Sequence, residues 1–432
     1  MDPLMRYLYS ILTALAVLSA SCKKNVETIY EEEGDPFVAE IKVDKIVNDS
    51  TLVLKWNKYP GTGFHSYKLW RTADISQLPQ ELATFNNPDS TSYTDLAVPS
   101  NPIVEYKLEV ATDSSYYYSA VDYKSQDFFY GNLVDVLINK DAHLLYLFSG
   151  IDKKIAVYNY TNNQKLFEKT YDVAFGYCAL GNFAGINDEL YVPRSDGWLD
   201  ILNASNLDLK SRIYVSGTNI GSVIAHQGKL YVSSTDLSVP YGLNDNAIKV
   251  YDRATSNLIA RTGIHSNTKL LFLESTNLEL AELTLNLIPV DLCYYSFDAN
   301  GQPLVSKADS YHGDYLLDPG VFRSFPDGEH FITSTEGNIF DKTLVYQKSL
   351  GPNYSNSFAD FAFSDDGTVI YAADALSKRV EAISYPQLQQ VQTYTTGFYP
   401  VKLFKAGEEI ICVSVVTQYS VFAYFTIEKI KL

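Results

Sequence analysis

The sequence predicts an all-β chain, a β-sandwich followed by a repeated array of short antiparallel strands. Three observations predict it. Apolar residues alternate with period two over most of the length, and almost no stretch beyond the first twenty residues carries the period of a helix. The composition is strand-forming, with 34 Tyr and 22 Phe in 432 residues, because aromatic side chains fit a pleated surface. A third signal is a pattern that returns at near-constant spacing through the C-terminal part of the chain.

The first element is a leader. Arg6 precedes an apolar to weakly polar run from Tyr7 to Ala20, shorter than the roughly 20 residues that cross a bilayer as a helix. Small residues follow it, as in a cleaved signal peptide. Met5 is an alternative start. The segment Leu18-Ser19-Ala20-Ser21-Cys22 resembles a bacterial lipobox, with its leucine one step further from the cysteine than the usual pattern. That resemblance implies a signal peptide of residues 1–21, with Cys22 diacylated as the mature N-terminus. The Ser-Cys-Lys-Lys junction is similar to lipoproteins of the Bacteroidetes type, which implies the outer membrane and leaves its face open. Buried acyl methylenes contribute about 0.8 kcal/mol each, so two chains anchor stably. Residues 22–35, with Glu31-Glu32-Glu33-Gly34, lack apolar periodicity and read as a flexible tether.

Charge and cysteine usage exclude several functions. The formal net charge is -17, and nucleic-acid binding needs clustered Lys and Arg that this chain lacks. Beyond Cys22 the cysteines are Cys178, Cys293 and Cys412. Each lies in an apolar run and reads as a small buried hydrophobe. No Cys or His spacing matches a zinc site, and no metal or cofactor is expected.

Residues 36–125 read as short strands with period-two patterning, including Thr51-Leu52-Val53-Leu54-Lys55-Trp56, Ser66-Tyr67-Lys68-Leu69-Trp70-Arg71 and Val104-Glu105-Tyr106-Lys107-Leu108. This set resembles a fibronectin type III domain. The resemblance places Trp56 and Tyr106 in the core and implies a spacer or docking module.

Residues 126–432 repeat. Leu145-Tyr146-Leu147, Leu190-Tyr191-Val192, Leu230-Tyr231-Val232, His330-Phe331-Ile332, Ile370-Tyr371-Ala372 and Ile410-Ile411-Cys412 align, and Leu280-Ala281-Glu282 fills the long gap, making seven units. Turn signals such as Asp365-Asp366-Gly367 precede the triplets. Three or four strands in each 40 to 45 residues is the arithmetic of a β-propeller blade. Val369-Ile370-Tyr371-Ala372-Ala373-Asp374 resembles the YVTN-type blade, and the resemblance implies a seven-bladed β-propeller. The last unit is one strand short, and residues near Gln126 to Tyr130 are expected to supply it.

Propellers bind ligands with the loops at one mouth. The longest such loop, Ser234 to Asn246, holds Tyr241, Asn244 and Asp245, and its neighbour holds Arg194, Asp196 and Trp198. An aromatic face beside Asp, Asn and Arg suits a sugar ring and its hydroxyls. The competing expectation packs Trp198 between blades. Weak acid-base candidates at the same mouth are His312 and Asp314, with His265 and Asp318; His143, His226 and His330 map to the other mouth. Neither Asn244-Asp245-Asn246 nor Asp298-Ala299-Asn300-Gly301 has the ligand series of a calcium loop, and the second reads as a hairpin turn. No nucleophile elbow, phosphate loop or dinucleotide fingerprint occurs.

The expectation is therefore a membrane-anchored, non-catalytic binding lipoprotein recognising a glycan or an envelope protein. The alternatives are an enzyme acting on a carbohydrate or small metabolite at the same mouth, and a structural component of an outer-membrane assembly.

Overall fold

The computed structural model describes residues 37–48, 50–73, 78–215, 219–235, 246–273, 278–309, 313–351, 357–418 and 420–432. Cys22, the tether, Tyr241, Asn244, Asp245 and His312 lie outside the described residues. Every regular element among those described is a β-strand. The chain divides into two compact units, Met1–Tyr123 and Lys124–Leu432.

In the first unit the strands are β1 (Ile41–Asn48), β2 (Thr51–Trp56), β3 (Phe64–Thr72), β4 (Gln80–Phe85), β5 (Ser92–Asp95), β6 (Ile103–Thr112) and β7 (Tyr116–Lys124). They form a three-stranded sheet, β1-β2-β5, and a four-stranded sheet, β4-β3-β6-β7. Alternate residues of each strand turn inward: Leu52, Leu54 and Trp56 from β2, and Val104, Tyr106, Leu108 and Val110 from β6, enter one core with Tyr67 and Leu69. Trp56 and Tyr106 are core residues, as the resemblance to a fibronectin type III domain implies. The Tyr106 hydroxyl donates to Asp95 Oδ2 at 2.8 Å, and Arg71 Nη1 donates to the same oxygen at 2.8 Å. The buried phenol therefore leaves no orphan polar group, which would cost about 1–3 kcal/mol.

Among the described residues the second unit contains seven four-stranded sheets. Sheet one comprises Leu133–Asn139, Leu144–Ser149, Lys154–Asn159 and Gln164–Thr170; sheet two, Ala179–Gly181, Glu189–Pro193, Trp198–Asn203 and Leu209–Tyr214. Sheet three comprises Asn219–His226, Lys229–Thr235, Ile248–Asp252 and Leu258–Thr262; sheet four, Thr268–Leu273, Leu278–Thr284, Leu292–Phe297 and Pro303–Ala308. Sheet five comprises Phe322–Ser324, His330–Thr333, Asn338–Asp341 and Tyr346–Ser349; sheet six, Phe358–Phe363, Val369–Asp374, Arg379–Ser384 and Gln390–Thr395. Each of these six is a consecutive antiparallel meander. Sheet seven has only three consecutive strands, Tyr399–Ala406, Glu409–Val415 and Ala423–Lys431. Its fourth is β8 (Phe129–Gly131), which pairs antiparallel with the Ala423–Lys431 strand through Phe129↔Phe425 and Gly131↔Ala423. The missing strand thus comes from the region the sequence indicated.

Seven apolar clusters hold these sheets together, each built by two successive sheets, and the seventh joins sheet seven to sheet one. The repeated triplets explain this division. They lie on the second strand of every sheet, where period-two alternation sends the flanking residues to one face and the middle residue to the other. Leu190 and Val192 pack with sheet one while Tyr191 packs with sheet three. Leu145 and Leu147 pack with sheet seven while Tyr146 packs with sheet two. In sheet five the alignment on His330-Phe331-Ile332 is one residue out of phase: Phe331 faces sheet four and Ile332 faces sheet six. Counting from the turn glycines, Gly328 and Gly367, aligns Ile332 with Tyr371 and restores the phase. A one-residue slip exchanges the two faces, so the turn is the better anchor.

Candidate functional site

Each sheet of the second unit has two ends, one at the turn between its first and second strands and one at the turn between its second and third. Most sequence candidates lie at the second-turn end. In sheet two, Arg194 is buried. Its guanidinium donates to Asp196 through Nε at 3.0 Å and Nη2 at 2.7 Å, to Asp200 through Nη1 at 3.5 Å and to Asp172 through Nη2 at 3.4 Å. Arg212 Nε adds a 2.8 Å bond to Asp200. The hydrogen bond from Arg194 holds the Asp196 carboxyl below its ordinary range. Arg194 and Asp196 are thus occupied with one another, and the network braces the turn that starts the Trp198 strand.

Trp198 is not packed between sheets. It pairs across the strands with Tyr214, ring centroids 4.8 Å apart at 51°, and the two side chains are 36 % and 52 % exposed. Gly197, at φ 85°, makes the turn that delivers the indole to the sheet end. Tyr214 is the partner that sequence reading missed. The alternation of Leu209-Lys210-Ser211-Arg212-Ile213-Tyr214 is a signal that could have put it on a strand, but local alternation does not indicate which side chain it faces.

Among the described residues the acid-base candidates Asp314, Asp318 and His265 do not converge. Asp314 is exposed, and Asp318 shapes a turn by accepting the Gly320 N–H at 2.7 Å. His265 Nε2 lies 3.6 Å from Asp291 Oδ2, an ion-pair distance beyond hydrogen-bond reach. Asp298 Oδ1 accepts the N–H groups of Asn300 and Gln302, which makes its segment a hairpin turn. Among the described residues no group of three His, Cys, Asp or Glu side chains could hold a metal ion. Cys178, Cys293 and Cys412 are buried and free, and burial pushes all three thiols well above their ordinary range.

A polar set that the motifs did not announce lies along the first strands. Arg323 of sheet five donates to Asp360 of sheet six through Nε at 2.8 Å and Nη2 at 2.6 Å, and the Leu403 N–H of sheet seven adds a bond at 2.9 Å. Burial works against the Asp360 carboxylate, but Arg323 and Lys402 outweigh it and hold its pKa below the ordinary value. Lys402 Nζ donates to the Gly320 carbonyl at 2.9 Å and Lys269 Nζ to the Pro319 carbonyl at 2.8 Å, so sheets four and seven both tie down the segment leading into sheet five. The Lys269 ammonium also sits 4.2 Å from the centre of the Tyr177 ring, and burial pulls its pKa down to about 8. Gly176 permits this approach of Tyr177, since a Cβ there would stand 2.2 Å from the Gly221 carbonyl oxygen.

Beyond this set, at the first-turn end, a cavity of about 810 Å³ opens, lined by residues from the first strand of all seven sheets. Among the described residues, none of the binding or acid-base residues expected from the sequence lines it. Its walls are ordinary strand residues, Phe272, Ile224 and Lys405 among them, with Lys140 and Asp365 at the turns. Period-two patterning could have identified the first strands. The convergence of seven of them on one space is long-range information that no local motif carries.

No known protein family matches the chain. No curated protein matches it.

Proposed function

We propose that this chain is a lipid-anchored, non-catalytic binding protein: a fibronectin type III sandwich over residues 36–125, a seven-bladed β-propeller over residues 126–432, and a rim that recognises a glycan or an envelope protein. The propeller reading is supported by the shared apolar cluster between sheets seven and one, because seven sheets packed pairwise with the last against the first form a ring. The sandwich reading is supported by the three-plus-four strand arrangement and by the buried Trp56 and Tyr106.

The observation that carries the binding reading is the exposed Trp198–Tyr214 pair. Two large rings held open to solvent offer an apolar face for a sugar ring, with the partly exposed guanidinium of Arg212, two residues before Tyr214 on the same strand, for hydroxyl groups. Lys269 and Lys402 tie down the Pro319-Gly320 backbone at the same end, so recognition there is a surface event on the rim. That feature also favours the second reading, a partner in an envelope assembly. A broad glycan array probed with the mature chain is expected to give binding that falls roughly tenfold in Trp198→Ala, the loss of about 1.4 kcal/mol of stacking. An array with no bound glycan would remove the sugar reading and leave the protein partner. Cys22→Ala is expected to move the protein from the membrane to the soluble fraction; continued membrane association would overturn the anchor.

A further inference from the structure

We propose that the cavity at the first-turn end of the second unit is a separate binding site for a small aromatic carboxylate. Its size suits such a ligand, since about 810 Å³ falls within the roughly 300–1,000 Å³ of small-molecule pockets. Phe272, Phe363 and Phe404 line it, the first two half-buried and the third buried. Aromatic rings prefer offset or edge contacts with other rings, which an alkyl chain cannot make.

Charge selects an anion. The protein carries a net charge of -17, yet among the described residues the cavity lining holds Lys140, Arg323 and Lys405 against the carboxylate of Asp365, and with Asp360 paired to Arg323 from behind the wall one cation remains in excess. Lys405 and Asp365 stand 3.7 Å apart at the opening, where Asp365 is almost fully exposed. Arg323 is placed deeper on its strand. Its Nε and Nη2 are taken by Asp360, while Nη1 makes no hydrogen bond among the described residues, and its Cζ lies 5.1 Å from the centre of the Phe404 ring. The bidentate pair fixes the guanidinium plane, so the remaining donor edge is already oriented. A carboxylate at Nη1 would gain a charge-assisted hydrogen bond while its ring lies against the phenylalanines. This site is independent of the Trp198 rim, which lies at the other end of the sheets.

The test is calorimetric titration of the full mature chain with 2-naphthoate, its neutral counterpart 2-naphthylmethanol, and decanoate. Binding of one naphthoate per chain is expected, with the alcohol and decanoate each roughly tenfold weaker. Ala225→Trp, which places a ring in the cavity, is expected to abolish naphthoate binding. The paired change Arg323→Gln/Asp360→Asn removes both charges of the pair together and is expected to weaken naphthoate about tenfold while leaving the alcohol unchanged. Each variant is first checked for an unchanged circular dichroism spectrum. Should either fail to fold, the three-ligand comparison on the unmodified protein still decides. No naphthoate binding, equal binding of the alcohol, tighter binding of decanoate, or full binding by folded Ala225→Trp would each overturn the proposal.

Discussion

Asp360 and Glu282 are both sealed inside the second unit, and their surroundings treat them in opposite ways. Asp360 receives two bonds from Arg323 and one from the Leu403 backbone, and its pKa is held below the ordinary value. Glu282, between sheets four and three, is fully buried, and among the described residues neither of its oxygens has a hydrogen-bond partner within normal geometry. Burial pushes its carboxyl up to about 7, against a weaker pull from Tyr295 and Thr268. Burial alone therefore does not decide the charge state of a carboxyl group; the partner does. The paired acid is the one that orients an arginine toward the cavity. The unpaired one makes stability sensitive to pH.

Breaking the paired site should have the larger effect. Asp360→Ala would leave the Arg323 guanidinium without its counter-ion, and removal of one member of such a pair costs about 3–5 kcal/mol. Urea denaturation at neutral pH measures it, and a loss below about 1 kcal/mol would mean that water in the cavity solvates Arg323 well enough to replace the carboxylate.

The unpaired site is expected to respond in the other direction. Below about pH 4.5 Glu282 is neutral whether folded or unfolded and costs nothing. Between about pH 4.5 and 7 the unfolded chain ionises while the folded one keeps its proton, so stability falls as pH rises. Above that window roughly 3 kcal/mol has been lost. Glu282→Gln should therefore be more stable than the unmodified protein by about 2–3 kcal/mol at pH 8, with the difference closing toward pH 4.5. A pH series of denaturation midpoints checks this, and a difference that does not change with pH would show that Glu282 titrates normally.

Much of the architecture was legible in the sequence because it is written in local periods. Tyr146, Tyr191 and Tyr231 are middle residues of triplets on second strands, and the strand near Tyr130 could be placed by noting that the last repeat was one short. His330 marks where the local period misleads, since in that repeat the aromatic residue stands one position closer to the turn and faces the opposite neighbour. Site chemistry was less legible. Arg194 and Asp196 look like ligand-binding residues in a loop, but folding brings Asp172, Asp200 and Arg212 to them from other segments. Trp198 was recognised as a candidate without Tyr214, the partner that its strand pairing supplies. Arg323 carried no signal at all, because its importance comes from Asp360 and Phe404, residues of two other sheets.

The pairing of β8 with the Ala423–Lys431 strand constrains how this protein can be made. Asn132 near β8 bonds to the Val421 carbonyl across 289 positions of sequence, so the contact that completes sheet seven has among the highest loop-closure costs in the chain. Any nascent fragment that lacks residues 423–431 holds at most six complete four-stranded sheets in its second unit, with Phe129 and the apolar faces of sheets one and seven uncovered. Such a species is prone to self-association, and a protein of this design gains from being kept unfolded until the whole second unit is available.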